Sequence, residues 1–341
     1  MATINTKKLK FTVYGRGYDD ERGNSGDGVK DPTILNFLSA FAEFDITGRY
    51  CWVSQRDGYI KKYNTATWLE EEIPEELSFC YYINQPKNSD DNIAFTIPFT
   101  GTEGYLIDLT TGEILDTITV SSNFSRVSQD CVKVDDSTWR FCTLGQDRAA
   151  NEVYTLDLEN LSMSITDVHG TGICGWIDSD TMYSRYVPEW FSDYKSVSGI
   201  NASGTTEWWA RANRAGSSGY SNIDGQMRGI PTNGKIYVPS YVNGVWALGE
   251  YNGSVAPDFN TPSPARVFGE FPSRPTILPQ DFFIAFTTDK SFAVFDTDVG
   301  LYYTDFQELN KLDNTAGYKP LATTHDMVIG TTSQYTKIFE F

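Results

Sequence analysis

The sequence is poor in the residues that build the commonest catalytic and metal sites. It contains two histidines and five cysteines in 341 residues, and it has no Cys-x-x-Cys pair. An odd cysteine count without that spacing disfavours both a disulfide framework and a zinc site. Only His169 and His325 could act as the base of a nucleophilic triad, and we interpret both as surface or turn histidines. We therefore expect a protein that is not an enzyme.

Long hydrophobic runs are also missing. No stretch of 18 consecutive apolar residues occurs, which argues against a membrane-spanning helix. The first ten residues, Met1 to Lys10, lack the apolar run and the small-residue cleavage site of a secretory signal. From the sequence we expect synthesis in the cytoplasm and no insertion into a membrane.

Positive charge is scarce relative to negative charge. The 27 Lys and Arg residues face 45 Asp and Glu residues, so the formal net charge is -18. Nucleic acid and anionic membrane surfaces would be repelled by such a field on average. We therefore expect no nucleic-acid partner. The partners that we expect are other protein subunits of an assembly, or surface glycans.

Leucine is scarce as well, whereas the chain has 21 Phe and 20 Tyr. Few leucines with many aromatic and β-branched residues disfavour a helical bundle and favour β-sheet. Hydrophobic residues make up 40% of the chain, which is ample for a large core.

A strand–turn–strand phrase recurs along the chain. In the clearest copy, residues 92–118, apolar runs alternate with polar turns, and the middle run ends at Ile107. The corresponding last apolar residues are Tyr63, Ile107, Leu156, Ile200, Leu248, Phe295 and Phe339. They recur at intervals of 44 to 49 residues. Four short antiparallel strands every roughly 40 to 50 residues are typical of a β-propeller blade.

The seven copies predict an all-β fold: one seven-bladed β-propeller of four-stranded antiparallel blades that spans residues 1–341. The predicted blades are 39–76, 77–122, 123–169, 170–215, 216–265, 266–310 and 311–341. The last copy stops after its middle strand. We expect residues 8–14, which alternate with period two, to supply the missing strand and close the ring, while 15–38 form an irregular loop. An open β-sandwich pair is the alternative.

The turn Ile107-Asp-Leu-Thr-Thr-Gly-Glu113 resembles the blade repeat of quinoprotein-like and YVTN-type propellers. In those proteins the Asp and the Thr-Gly hold the tight turn between the third and fourth strands. Segments 63–67 and 156–160 match this pattern in part. The resemblance implies the propeller fold. It implies no pyrroloquinoline cofactor, because the adjacent cysteines and the metal constellation of such dehydrogenases are absent, so we expect no cofactor.

Two segments are candidate binding sites. The first lies in the fourth blade, where aromatic residues interrupt the strand alternation and could anchor a protein or stack on a sugar. Its residues are Tyr186, Trp190, Phe191 and Tyr194. The second is an acidic loop that could hold a hard cation, or could simply be solvated. Its residues are Asp19, Asp20, Asp27 and Asp31.

These features leave three hypotheses for function. The leading one is a non-enzymatic structural or protein-interaction module in a larger assembly. A free-standing propeller enriched in Asn, Thr, Tyr and Phe resembles tail- or capsid-associated phage proteins, which favours a virion. The second is a carbohydrate-binding propeller that uses the aromatics of the fourth blade. The third is a carboxylate-dependent glycoside hydrolase or lyase, for which a chain with 45 acids gives no specific signal.

Overall fold

The structure is a computed structural model of the 341-residue chain. It describes residues 34–35, 39–55, 60–86, 88–98, 102–120, 127–143, 151–168, 173–186, 194–203, 205–213, 228–230, 234–255, 264–271, 284–287, 291–297, 299–332 and 336–341. Within these ranges the chain forms 28 β-strands and one four-residue helix, α1 (Glu75–Ser78). The predicted all-β class is confirmed.

The first four-stranded antiparallel meander, which we name M1, has the strand order β2-β3-β4-β5. Its strands are β2 (Ser39–Phe44), β3 (Tyr50–Gln55), β4 (Ile60–Asn64) and β5 (Leu69–Glu71). Strand β5 is therefore an edge of this sheet. Helix α1 follows it in the connection to the next meander.

The next eight strands belong to one sheet, which consists of two consecutive meanders, M2 and M3. M2 comprises β6 (Cys80–Asn84), β7 (Ile93–Pro98), β8 (Glu103–Asp108) and β9 (Ile114–Thr119). M3 comprises β10 (Val127–Lys133), β11 (Thr138–Thr143), β12 (Asn151–Asp157) and β13 (Ser162–Val168). Thr119 of β9 forms a parallel pair with Ser162 of β13, which joins the outer strands of the two meanders. An isolated parallel bridge between Pro86, just after β6, and Cys131 of β10 joins them at their first strands.

Three further four-stranded antiparallel sheets, M4 to M6, follow in chain order. M4 comprises β14 (Ile173–Trp176), β15 (Thr181–Tyr186), β16 (Tyr194–Asn201) and β17 (Thr206–Asn213). M5 comprises β18 (Arg228–Ile230), β19 (Lys235–Val242), β20 (Val245–Asn252) and β21 (Arg266–Phe271). M6 comprises β22 (Ile284–Phe286), β23 (Ala293–Thr297), β24 (Gly300–Thr304) and β25 (Leu309–Lys311).

The last sheet, M7, combines the two ends of the described chain. Its strands are β26 (Lys319–Thr323), β27 (Met327–Thr331), β28 (Thr336–Glu340) and β1 (Ile34–Leu35). Ile34 pairs with Lys337, and Leu35 pairs with Thr336. The strand on β28 therefore comes from the stretch 15–38, which the sequence predicts to be an irregular loop. A two-residue strand shows no periodicity in the sequence. The predicted closing strand 8–14 lies outside the described residues.

The strand assignment also differs from the predicted repeat between M5 and M6. Strand β21 pairs with β20 through Glu250 and Arg266, so it belongs to M5 and not to the predicted repeat 266–310. Phe295 lies in the second strand of M6, whereas the corresponding marker Leu248 lies in the third strand of M5. The cause is the long connection between β20 and β21, which delays the fourth strand beyond the fixed period.

Strands β3 of M1 and β23 of M6 are apolar on both faces because each is covered by a different meander on each side. In β3, Cys51 and Val53 pack in a cluster with residues of M7, while Trp52 packs with residues of M2. In β23, Val294 packs toward M7 and Phe295 toward M5. Successive side chains of a strand point to opposite faces. A strand covered on both faces therefore reads as a nearly continuous apolar run.

Candidate functional site

A four-stranded meander has two ends. At one end, the turn after the first strand lies beside the turn after the third strand, and in M1 to M5 backbone hydrogen bonds join the two. In M1, Thr65 N donates to Arg49 O at 2.9 Å, and in M3, Leu158 N donates to Ser137 O at 2.7 Å. We call this the turn end. The opposite end carries the hairpin between the second and third strands, and we call it the hairpin end.

Carboxylates at the turn end accept hydrogen bonds from the backbone of their own turns. Asp108 Oδ1 accepts from Thr110 N at 2.8 Å and from Thr111 N at 2.6 Å. Asp157 Oδ1 accepts from Glu159 N and Asn160 N at 3.0 and 2.9 Å. Such local bonds are the reason that Asp is favoured in turns. Part of the acidic surplus of the chain is therefore used to build turns.

These hydrogen bonds also stabilise the charged carboxylates. The side-chain and backbone N–H groups of Asn160 lower the pKa of Asp157. Backbone bonds from Glu308 and Gln307 lower the pKa of Asp305. Hydrogen bonds that favour the ionised form have this effect on a carboxyl group.

Consecutive meanders are joined at the turn end by cationic side chains. Arg140 of M3 donates to Ser179 O of M4 at 3.0 Å, and Arg266 of M5 donates to Phe306 O of M6 at 3.0 Å. Lys133 of M3 pairs with Asp91 of M2 at 2.7 Å, and this bond lowers the pKa of Asp91. These three cationic side chains thus serve contacts between meanders.

The junction of M1 and M2 contains a buried polar network around Asp45, which is 1% exposed. Its carboxylate accepts from Tyr50 N at 2.8 Å, from Thr47 Oγ1 at 2.6 Å and from Thr110 Oγ1 of M2 at 2.9 Å. Asn92 extends the network, because its Nδ2 donates to Thr110 Oγ1 at 2.7 Å. The turn that resembles the quinoprotein-like repeat is therefore anchored to the neighbouring meander.

The same junction encloses a lysine. Lys62 is 4% exposed, and its Nζ donates to Thr110 O at 2.5 Å and lies 4.2 Å from the centre of the Tyr50 ring. Burial lowers the pKa of Lys62, although the carboxylates of Glu71, Asp45 and Asp108 oppose this shift. The ammonium group has a hydrogen-bond partner and a ring partner but little access to solvent. We therefore interpret Lys62 as a residue that holds M1 and M2 together.

Two of the four aromatic residues predicted to form a site in M4 are described, and both lie at the hairpin end. Tyr186 is the last residue of β15 and pairs with Ser196, while Tyr194 is the first residue of β16 and pairs with Asn213. The two tyrosines therefore flank the β15–β16 hairpin. Trp190 and Phe191 lie outside the described residues, as do Asp19, Asp20, Asp27 and Asp31 of the predicted ion-binding loop.

The hairpin end of M5 carries an aromatic pair, one ring exposed and one partly buried, that the sequence analysis missed. Strands β19 and β20 are joined by Asn243 and Gly244, whose φ angles are 54° and 90°. Tyr241 and Trp246 are directly opposite each other, with ring centres 5.5 Å apart and planes at 45°. The available signal was the Asn-Gly dipeptide between alternating apolar residues, which indicates a tight hairpin.

A second exposed feature, the acidic edge, runs along residues 69–79 from strand β5 through helix α1. Its sequence is Leu69-Glu-Glu-Glu-Ile-Pro-Glu-Glu-Leu-Ser-Phe79. Leu77 is fully buried among apolar residues of M1 and M2 and anchors the helix. Leu69 is 48% exposed and Phe79 is 57% exposed. Of its five glutamates, Glu70 forms an ion pair with Lys61 at 2.6 Å, and the described residues provide no ion pair for the other four.

Groups with catalytic potential occur in the described part of the chain but do not form a triad. His325 Nε2 lies 3.4 Å from Ser291 Oγ, and its ring also contacts Phe292. His169 lies outside the described residues. Burial raises the pKa of Cys51 and raises that of Cys80 to about 12, so both thiols are protonated at neutral pH.

The described residues contain no group of three or more His, Cys, Asp or Glu side chains placed to hold a metal ion. Within the same ranges, no helix has the length and apolar character needed to cross a membrane.

Comparisons with known proteins give a likeness to solved structures and no match from the sequence. No family model matches the sequence. No curated protein matches it. Among solved structures, the chain is similar to "KlHsv2 with loop 6CD replaced by a Gly-Ser linker", with 12% sequence identity and a TM-score of 0.49. The match covers 89% of this chain and 93% of that chain.

Proposed function

We propose that the protein is a seven-bladed β-propeller that acts as a non-enzymatic protein-interaction module within a larger assembly. M1 to M7 would be the blades. A four-stranded meander cannot cover both of its apolar faces alone, but stacking around an axis covers them.

The packing of first strands supports this arrangement. Strand β2 lies against β6 of M2 on one side and against β26 of M7 on the other. Strand β14 lies against β10 and β18. Contacts between the first strands of successive meanders are expected if those strands surround a central axis. With M7 beside M1, the N-terminal strand β1 would join the last blade to the beginning of the chain.

The observation that carries the proposed interaction is the acidic edge. Four of its glutamates are without an ion pair among the described residues, and two large apolar side chains, Leu69 and Phe79, are about half exposed beside them. Among the described residues no strand pairs with the outer side of edge strand β5, where a partner strand could extend the sheet. A partner segment with basic and apolar residues would complement this surface.

Binding of a labelled synthetic peptide of alternating lysine and leucine tests the proposal. We expect fluorescence anisotropy to show saturable binding that weakens with salt, because exposed charges are screened. The double substitution Glu72→Lys and Glu76→Lys should raise Kd at least about tenfold, a cost of about 1.4 kcal/mol. Phe79→Ser should also weaken binding.

The matched control reverses two exposed acids elsewhere, Glu113→Lys and Asp116→Lys, and changes the net charge equally. This variant should bind the peptide like the unmodified protein. Equal weakening in both double variants would reduce the effect to net charge and would remove the acidic edge as the binding surface.

We further propose that the assembly is a viral particle, and the abundance of Asn, Thr, Tyr and Phe supports this setting. The isolated chain should then sediment as a small species without catalytic turnover, and it should be present at a fixed copy number in purified particles. Sugar cleavage that is abolished by a single acidic substitution would instead favour the hydrolase hypothesis.

A further inference from the structure

The β19–β20 hairpin of M5 presents its aromatic pair on a fixed backbone. Val242 pairs with Val245, so only Asn243 and Gly244 form the turn. Both residues have positive φ, as the tightest hairpin turns require. Because only two residues form the turn, the backbone at the tip has little conformational freedom. The strand register places Tyr241 opposite Trp246.

The two rings are held differently. Trp246 is partly buried and packs against a cluster that includes Tyr237, Leu248 and Phe268. Tyr241 is 41% exposed, and its ring centre lies 5.5 Å from that of Trp246. The core thus fixes one ring, and that ring supports the exposed one. A ligand that stacks here would immobilise few additional side chains, which keeps the entropic cost of binding low.

The hairpin that carries the pair has no charged residue of its own. From Ile236 to Gly249 there is no Asp, Glu, Lys, Arg or His, although 21% of the whole chain is charged. A charged ligand would lose hydration here without gaining an opposite charge from the hairpin. Asn243 is exposed at the tip and offers an amide that can both donate and accept hydrogen bonds.

We propose that Tyr241, Asn243 and Trp246 form a shallow binding site for a neutral saccharide. A sugar ring has apolar C–H faces that can stack on aromatic rings and hydroxyl groups that can bond to an amide. This site is separate from the acidic edge, and the proposal stands independently of the partner proposed there. All three residues lie in the part of the chain that the structure describes.

Saturation-transfer-difference NMR with three neutral oligosaccharides, maltohexaose, cellohexaose and chitohexaose, tests the site. At least one of them should receive saturation from the protein and titrate to a measurable Kd. Tyr241→Ala should raise that Kd at least about tenfold, and Tyr241→Phe, which keeps the ring, should stay within about twofold of the unmodified protein. Asn243→Gly should weaken binding without opening the turn, because glycine accepts positive φ.

Two controls separate this site from other surfaces. Phe341→Ala removes an aromatic ring of similar exposure, 39%, at the turn end of M7 and should leave Kd unchanged. The Glu72→Lys/Glu76→Lys variant should bind the saccharide normally even where it loses the basic peptide. The proposal is overturned if all three oligosaccharides are silent, or if Tyr241→Ala binds as tightly as the unmodified protein. It is also overturned if Tyr241→Ala keeps its affinity for the saccharide and loses binding to a protein instead.

Discussion

At the turn end of M2, Asp108 accepts bonds from two backbone N–H groups, and Thr110 and Leu109 of the same turn contact M1. At the hairpin end of M5, no carboxylate holds the turn, and two aromatic rings flank it. The first end uses polar groups within the fold, whereas the second presents one ring, Tyr241, to solvent. The difference shows that much of the charge at the turn end holds the fold together.

Removing a buried ring near the turn end should produce the largest loss of stability. Trp52 is fully buried, and its Nε1 donates to Leu109 O of M2 at 2.7 Å. We expect Trp52→Ala to lower the free energy of unfolding in urea by about 3–5 kcal/mol, because it leaves a cavity and an unpaired carbonyl. Leu115→Ala, at a position 44% exposed, is the control with little effect. A loss below about 1 kcal/mol for Trp52→Ala would contradict the view that contacts at the turn end stabilise the fold.

Asp45→Ala should have the next largest effect. The substitution leaves three donors without their buried acceptor, those of Tyr50, Thr47 and Thr110. We expect a loss of about 2–3 kcal/mol in the same urea experiment. Asp116→Ala removes an exposed carboxylate and should change stability by less than about 0.5 kcal/mol. Equal effects of the two substitutions would mean that the network around Asp45 does not stabilise the fold more than an exposed carboxylate does.

Gly112→Ala tests the backbone of the turn that resembles the quinoprotein-like repeat. Gly112 has φ of 84°, and an added Cβ would lie 3.5 Å from the Trp52 ring, an ordinary contact. The cost is therefore conformational, and we expect about 1–2 kcal/mol by calorimetry or urea unfolding. Gly112→Asn should cost less, because asparagine tolerates this conformation better. If the alanine variant is as stable as the unmodified protein, the turn does not require positive φ.

Acid should weaken the turn end selectively. Hydrogen bonds lower the pKa of Asp91, Asp135, Asp157 and Asp305 in the folded protein. A lowered folded pKa contributes stability above the unfolded pKa of about 3.9, and this contribution is lost as pH falls through the lower folded value. The melting temperature should therefore fall below about pH 4, and the fall should be shallower in Asp91→Asn. An identical pH profile for that variant would contradict the assignment.

Tyr241→Ala should have the smallest effect on stability. The side chain is 41% exposed, so its loss should change the free energy of unfolding by less than about 0.5 kcal/mol. Saccharide binding should nevertheless fall sharply in this variant. A large loss of stability would show that the aromatic pair stabilises the fold. The hairpin end of M5 would then have the same structural role as the turn end of M2.

Much of the fold could be predicted from the repeat of apolar runs. Tyr63 and Ile107, two of the markers, lie in the third strands β4 and β8 as the pattern predicts. The prediction failed where the spacing varied, at the long connection before β21, because a fixed period carries no information about connection length. It also missed β1, since two residues are too few to show an alternation.

The candidate sites were less predictable. The Asn243–Gly244 signal was visible in the sequence, but the opposition of Tyr241 and Trp246 follows from the register of the hairpin. The run of glutamates in residues 69–79 was equally visible, whereas the exposure of Leu69 and Phe79 beside it was not. Sequence pattern reports which residues alternate, and it does not report which faces another sheet covers.

The sequence by itself determined the β class, the repeated strands and the acidic character, because these follow from local alternation and composition. The tertiary structure decided which meander each strand joins, which carboxylates are used in turns and which apolar side chains stay exposed. These outcomes depend on contacts between residues about one repeat apart, such as Lys62 with Thr110 and Arg140 with Ser179. Local sequence cannot encode them, since they exist only once two meanders have packed together.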